Sequence, residues 1–102
     1  NIIAHSNLIK LNLKNSTVLD LYSGMGSFGI ECLSRGAKKV TFVENNKSAL
    51  SILNKNLEVL SLSNKSKVIT SKVESFLKKK NDIKYNIFFS TLLFQIKLSK
   101  KI

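Results

Sequence analysis

Five residues in the first half of the chain have the types and the spacing of a cofactor site. Asp20 is followed by the glycines Gly24, Gly26 and Gly29, and Glu44 ends the next apolar run. Glycines in such a turn let the backbone approach a ligand, because a Cβ atom would otherwise occupy that space. A carboxylate such as Glu44 can accept hydrogen bonds from both hydroxyls of a ribose. The pattern therefore predicts a site for an adenosine-containing cofactor.

The apolar spacing around these residues predicts alternating strands and helices. The predicted strands cover 17–22, 39–43, 67–70 and 85–89. The predicted helices cover 2–13, 27–35, 46–60 and 73–79. Such alternation is typical of an α/β fold in which right-handed crossovers join parallel strands. The glycine turn then opens a helix, and Glu44 lies at the carboxyl edge of the sheet, where such sheets bind ligands.

Length and charge limit what the chain can be. Its 102 residues suffice for about one small domain, and its single cysteine, Cys32, excludes a disulfide framework and favours a reducing, cytoplasmic location. No apolar run approaches the ~20 residues of a membrane span. A formal net charge of +11, from 17 Lys and Arg against 6 Asp and Glu, suits a polyanion such as nucleic acid. AT-rich codons explain the same excess equally well, since every basic residue except Arg35 is a lysine.

Asp20 distinguishes between two classes of cofactor-binding protein. It lies within an apolar strand, where a carboxylate without donors is costly, so we expect it to meet hydrogen-bond donors. Nicotinamide-binding turns usually carry an apolar residue there, whereas methyltransferases that use S-adenosylmethionine carry an acid. The stretch from Asp20 to Gly29 therefore resembles methyltransferase motif I. A fragment of an NAD-dependent oxidoreductase is the less favoured alternative.

Residues beyond the turn extend this resemblance to one family. The stretch from Val18 to Ala37, whose most distinctive part is Gly29-Ile-Glu-Cys-Leu-Ser-Arg-Gly-Ala37, and the run Val40-Thr-Phe-Val-Glu44 resemble the RsmD family of bacterial methyltransferases. The resemblance implies a Rossmann-like methyltransferase fold with about four of its seven strands present and S-adenosylmethionine as the cofactor. It also implies methyl transfer to a guanine N2 of small-subunit ribosomal RNA, with that RNA as partner, by a monomer that contacts no membrane.

The same resemblance assigns roles to individual residues. The glycine turn and Asp20 would hold the methionine end of the cofactor, Glu44 its ribose, and the backbone near Val73 its adenine. No residue is assigned to a metal. Lys72 stands where the family usually has an acid near the adenine, and Glu74 is a candidate replacement. The implied cofactor-binding residues are Asp20, Tyr22, Ser23, Gly24, Gly26, Glu44, Asn45 and Val73.

The catalytic motif of the family is not found at its expected place. After a strand like the one predicted at 85–89, the family continues with one apolar residue and then Asp-Pro-Pro-Phe or Asp-Pro-Pro-Tyr, which holds and orients the guanine. This chain reads Ser90-Thr-Leu-Leu-Phe94 instead, so no catalytic residue is predicted. Residues 87–94 can be encoded by codons in which one T, restored to the run of T before the Ser90 codon, gives Asp-Pro-Pro-Phe at that place. We therefore hypothesise a one-base deletion, with a genuinely divergent strand and tail as the alternative.

These observations divide the chain into two parts. Residues 1–89 are expected to form a partial methyltransferase domain with the cofactor-binding half of the site, and residues 90–102 a divergent, out-of-frame tail. The early position of the glycine turn also predicts that sequence upstream has been lost. The predicted function is the methyl transfer of the parent family, with this chain inactive alone. A non-catalytic nucleotide-binding or RNA-binding module is the alternative from a different class.

Overall fold

The computed structural model describes residues 12–79, 85 and 87–90. The predicted elements in this part are confirmed, with bounds that differ by at most two residues, and the predicted helix over 2–13 lies almost wholly outside it. One turn of 3₁₀ helix, Ser63–Lys65, precedes the third strand. The strands and helices are β1 (Thr17–Leu21), α1 (Ser27–Ser34), β2 (Lys39–Glu44), α2 (Lys47–Val59), β3 (Ser66–Thr70), α3 (Val73–Lys78) and β4 (Ile87–Ser90).

The four strands form one parallel sheet in the order β3-β2-β1-β4. Asp20 on β1 pairs with Phe42 on β2 and with Phe89 on β4, so β1 is central. The chain moves outward from β1 through β2 to β3 and then returns to the other side of β1. Strand order therefore reverses between β1 and β4, and the crevice at such a reversal is where open α/β sheets bind ligands.

Alternation along the strands produces an apolar layer on each side of the sheet. Residues at i and i+2 share a face of a strand, so Val40 and Phe42 face the opposite side from Val43. Parallel strands with both faces covered are nearly continuous in apolar residues, as β1 and β2 are here. The smaller layer packs α3 against the sheet through Leu19, Val43, Val73 and Phe76. The larger layer lies under α1 and α2 and comprises Leu13, Val18, Phe28, Cys32, Leu33, Ala37, Val40, Phe42, Leu53 and Leu57.

Local capping and close packing fix the helices that approach the carboxyl edge. The Asn46 side chain caps α2 by accepting a hydrogen bond from the Ala49 N–H at 2.9 Å. A Cβ atom on Gly29, in the first turn of α1, would run into the ring of Phe42. Because that space is already filled, glycine is what allows α1 to lie so near β2. Among the residues described, no helix has the length and apolarity to cross a bilayer.

Candidate cofactor site

The turn between β1 and α1 has a backbone that few residues other than glycine adopt. Gly24 and Gly26 have φ values of 57° and 91°, and Tyr22 is left-handed at 56°. The Ser23 hydroxyl donates to the Asp20 carbonyl at 2.7 Å, and the Ser23 N–H donates to the Val43 carbonyl at 3.1 Å. These bonds attach the turn to the ends of β1 and β2, so its unusual backbone is held by the sheet.

The three glycines of the turn meet different surroundings. A Cβ atom on Gly24 would meet nothing within 4 Å, so this residue faces open space. A Cβ atom on Gly26 would run into the Leu53 side chain and lie 3.2 Å from Ile30 Cδ1, and one on Gly29 would lie 2.9 Å from Val40 Cγ1. Gly26 and Gly29 are therefore required by helix packing, whereas Gly24 is the glycine whose open side a ligand could approach.

Glu44 is held by backbone amides from two directions. Its Oε1 accepts a hydrogen bond from the Gly24 N–H at 2.7 Å, and its Oε2 accepts from the N–H groups of Asn45 and Asn46 at 3.1 and 3.0 Å. Asn46 is the N-cap of α2, so the carboxylate also lies at the positive end of a helix dipole. The two oxygens have about four lone-pair directions, which leaves at least one for a ligand hydroxyl. Sequence reasoning had missed this second role of Glu44 in fastening the glycine turn.

Asp20 is buried and only half satisfied. Its Oδ2 accepts a hydrogen bond from the Gly29 N–H at 3.2 Å, as the sequence predicts for a carboxylate in this strand. Its Oδ1 is buried without a hydrogen-bond partner. Burial raises the pKa of Asp20 to about 8, with a further rise from the charge of Glu44, although the Gly29 N–H lowers it. An acceptor that is buried and unpaired costs free energy, so a donor supplied by a ligand would be strongly favoured there.

An open pocket of about 220 Å³ lies beside the turn, across the carboxyl ends of β1, β2 and β3. Four of the predicted cofactor-binding residues line it, and the other four, Asp20, Ser23, Gly24 and Gly26, belong to the end of β1 and the turn. The structure therefore brings all eight to one edge of the sheet. The residues that line the pocket are Tyr22, Val43, Glu44, Asn45, Ser71, Lys72, Val73 and Glu74.

One contact joins two walls of this pocket. The Tyr22 hydroxyl donates to Glu74 Oε1 at 2.8 Å, which raises the pKa of Tyr22. The pKa of Glu74 is lowered, first by its own backbone N–H and then by this hydroxyl. The candidate replacement for the missing acid at Lys72 thus lies in the pocket wall. The one sign of this in the sequence was the placement of Glu74 in the first turn after β3.

No metal centre accompanies the pocket in the part of the chain that the structure describes, because no group of three His, Cys, Asp or Glu side chains comes together there. Cys32 is buried and free, and burial raises the pKa of its thiol to about 12. A thiol with so high a pKa is a poor nucleophile. Cys32 therefore belongs to the core, as the sequence predicts. β4 ends at Ser90, and the tail beyond it falls outside the described residues.

Comparisons with known proteins agree with this geometry. The family model described as Conserved hypothetical protein 95 matches residues 2–98. Ribosomal RNA small subunit methyltransferase D of Haemophilus influenzae is 37% identical over 91 residues, which are 87% of this chain and 47% of that protein. The chain belongs to the RsmD family. A second RsmD relative, from Buchnera aphidicola subsp. Baizongia pistaciae, is 39% identical over 89 residues, or 87% of this chain and 44% of that protein. The chain thus spans about half the length of these relatives.

Solved structures place the sheet in the Rossmann-like methyltransferase fold that the sequence predicted. A structure from Escherichia coli described as a methyltransferase has a TM-score of 0.74 at 32% identity. The match covers 81% of this chain and 46% of that protein's chain. A structure from Haemophilus influenzae described as a methylase has a TM-score of 0.70 at 37% identity, and the match covers 82% of this chain and 53% of that one. A structure from Listeria monocytogenes, described as an S-adenosylmethionine dependent methyltransferase, has a TM-score of 0.61 at 25% identity, and the match covers 78% of this chain and 35% of that one.

Proposed function

We propose that this chain binds S-adenosylmethionine at the carboxyl edge of its sheet, as the cofactor-binding half of an RsmD-type methyltransferase. The parent reaction is methyl transfer to a guanine N2 of small-subunit ribosomal RNA, by a monomer. The observation that carries the proposal is the grouping of the half-satisfied Asp20, the open side of Gly24 and the amide-held Glu44 beside one pocket. The names of the relatives support methylation of small-subunit ribosomal RNA, and the guanine N2 follows from the resemblance of the motifs.

The donor set fits the cofactor at each of its ends. Asp20 Oδ1 needs a donor, and the ammonium group of a methionine moiety is one. Glu44 is oriented by three backbone amides and keeps acceptor capacity for a ribose hydroxyl. The pocket between Tyr22 and Val73 offers an aromatic and an apolar wall for adenine. The cofactor, when bound, supplies an electrophilic methyl group, and the residues of this chain bind and orient it.

The absence of the guanine-holding motif underlies the proposal that this chain alone is inactive. Ser90 pairs with Leu21, so β4 ends beside the crevice next to the glycine turn. That is where a motif presenting the guanine amine would have to begin. The chain carries Ser90-Thr-Leu-Leu-Phe94 at this point, with no carboxylate to accept the amine proton.

Calorimetry on the full chain tests the cofactor assignment. We expect S-adenosylhomocysteine to bind, and NAD to bind much more weakly. Asp20→Ala and Glu44→Gln should each weaken S-adenosylhomocysteine binding at least ten-fold, because each removes a carboxyl oxygen that would accept a hydrogen bond from the ligand. Glu58→Gln, which changes an exposed acid on α2, serves as the matched control and should bind normally. NAD binding that is tight and insensitive to Asp20 would overturn the proposal in favour of an oxidoreductase fragment.

Reading the gene and repairing its frame tests the second half of the proposal. A restored frame that encodes Asp-Pro-Pro-Phe after β4 should give a protein that methylates small-subunit ribosomal RNA, whereas the present chain does not. Codons at 87–94 that are incompatible with this restoration would refute the one-base deletion. Equal activity of the two proteins would refute the role given to the missing motif.

A further inference from the structure

The edge of the sheet opposite the cofactor pocket carries a cluster of exposed lysines. They lie within three residues before a strand or among its first two residues, whereas the cofactor site lies where the strands end. We call this cluster the lysine edge. All of its members are exposed. The lysine edge comprises Lys14, Lys38, Lys39, Lys65 and Lys67.

The parallel topology is what brings these lysines together. The Lys38 N–H donates to the Ser16 carbonyl at 2.8 Å, which joins the segment before β2 to the segment before β1. Lys14 lies beside the same segment, since its Cα is 3.6 Å from the position of a Cβ atom on Gly36. Val40 pairs with Ser66, so the start of β3 lies beside the start of β2. Three neighbouring strands therefore each bring lysines to one edge.

Strand alternation places two of these lysines on one face of the sheet. Lys67 pairs with Thr41, and Thr41 shares its face of β2 with Lys39, two residues earlier. Neighbouring strands lie about 4.8 Å apart, so the starts of three strands spread cations over roughly 10 Å. A nucleic-acid duplex presents about one negative charge per 1.7 Å of its axis, which is roughly six charges over that length. The spacing of the lysine edge therefore suits a phosphate backbone.

The acids of the described chain do not neutralise this edge. None of its lysines forms an ion pair there, and the ion pair that the structure shows is Arg35 with Glu31 at 3.1 Å. Glu58, near the end of α2, is the other acid on this side of the sheet. Asp20, Glu44 and Glu74 all lie at the cofactor edge. Folding thus gathers five lysines at this edge with few acids beside them, and the lysines repel one another unless an anionic partner offsets them.

We propose that the lysine edge is a contact surface for the phosphate backbone of RNA, separate from the cofactor pocket. This proposal rests on the proposed function in one respect, namely that the polyanion is RNA. Lysine contacts to phosphates position a nucleic acid without reading its bases. The surface would hold a part of the RNA distant from the reacting guanine, since the two edges of the sheet face opposite ways. An anionic membrane surface is the less favoured partner, because the cations form a row along the strand starts. The experiment below distinguishes a membrane from RNA.

Two double variants with equal net charge test this surface on the full chain without cofactor. Lys38→Gln with Lys65→Gln removes two cations from the lysine edge. Lys47→Gln with Lys55→Gln removes two exposed cations from α2 and is the matched control. The probe is a fluorescent RNA hairpin with a base-paired stem, and its binding is measured by anisotropy between 50 and 200 mM KCl, roughly the range over which phosphate contacts lose affinity.

The edge variant should bind the hairpin roughly ten-fold more weakly at low salt. Its salt slope should be smaller by about 1.4 to 1.8, because two phosphate contacts are lost and each lowers the slope by about 0.7 to 0.9. The control should change the slope by less than about 0.5. Equal losses in both variants would refute the surface and leave net charge as the explanation. Loss of binding to phosphatidylserine vesicles with RNA binding retained would assign the edge to a membrane and refute the proposal.

A second pair of variants keeps the test decisive if the first affects folding. Lys39→Gln with Lys67→Gln should reproduce the loss, while Lys38→Arg with Lys65→Arg should bind as the wild type does. Circular dichroism reports whether each variant is folded. S-adenosylhomocysteine binding should be unchanged in the edge variant. Failure of the cofactor assignment would show in calorimetry, and failure of the lysine edge would show in the comparison with the control, so the two outcomes are distinguishable.

Discussion

The pKa of Asp20 leads to a prediction about stability that needs no ligand. Asp20 is buried with Oδ1 unpaired, and burial raises its pKa to about 8 from an ordinary value of 3.8. Between these two pH values the native protein holds a proton that the unfolded chain releases. A raised carboxyl pKa therefore favours the native state at low pH, and this advantage is lost as the pH rises. Asp20→Asn removes the titration and should remove that dependence.

The magnitude follows from proton linkage. One proton bound only by the native state lowers the unfolding free energy by about 1.4 kcal/mol for each pH unit. From pH 5 to pH 7 the wild type should therefore lose about 2.7 kcal/mol relative to the Asp20→Asn variant. The amide also has a constant effect of its own, through its contact with the Gly29 N–H. That effect changes the unfolding free energy of the variant by the same amount at pH 5 and at pH 7. The change in the difference between the two proteins is thus due to Asp20 alone.

Urea denaturation followed by circular dichroism at pH 5, 6, 7 and 8 measures this difference. Glu58→Gln is the control, since this acid is exposed on α2, and its replacement should give a difference from wild type that is nearly constant over this range. A difference between wild type and Asp20→Asn that is also constant would show that Asp20 ionises normally. That result would refute the burial argument. Asp20→Asn should at the same time weaken S-adenosylhomocysteine binding.

Three further predictions use the same chain. Gly24→Ala should lower the unfolding free energy by about 1–2 kcal/mol through its φ of 57° alone. Gly29→Ala should lower it by about 3 kcal/mol, because its methyl group would meet Phe42, and urea denaturation midpoints compare the two variants. Leu53→Ala leaves a cavity at a fully buried position in the larger layer and should lower the unfolding free energy by about 2–5 kcal/mol in the same assay. A smaller loss would contradict the packing described for Leu53. Glu74→Gln should lower the pKa of Tyr22 in an ultraviolet titration, and an unchanged titration would contradict their hydrogen bond.

Much of the fold was predictable because its signals are local. The strand that contains Asp20, the helix after the glycines and the apolar stripe of α2 are each set by spacing within about fifteen residues. The conclusions about Asp20 and Glu44 followed from the same neighbourhood, since an acid inside an apolar strand and an acid at a strand end each have few physical explanations. The division at Ser90 and the frameshift stay predictions, because they concern residues beyond the described part.

Other features depend on residues that are distant in sequence. Gly24 and Gly26 look alike in the chain, and only the position of Leu53 on α2 shows that one faces a helix and the other open space. The amides that hold Glu44, the partner of Tyr22 and the gathering of the lysine edge likewise arise when strands align.

The sequence by itself determined the element order and the position of the glycine turn, because both follow from local backbone preferences and apolar spacing. Only the tertiary structure decided which acids meet which amides and where the cations collect. A parallel sheet brings every strand end to one edge and every strand start to the other, and this gathering of residues has no counterpart along the chain.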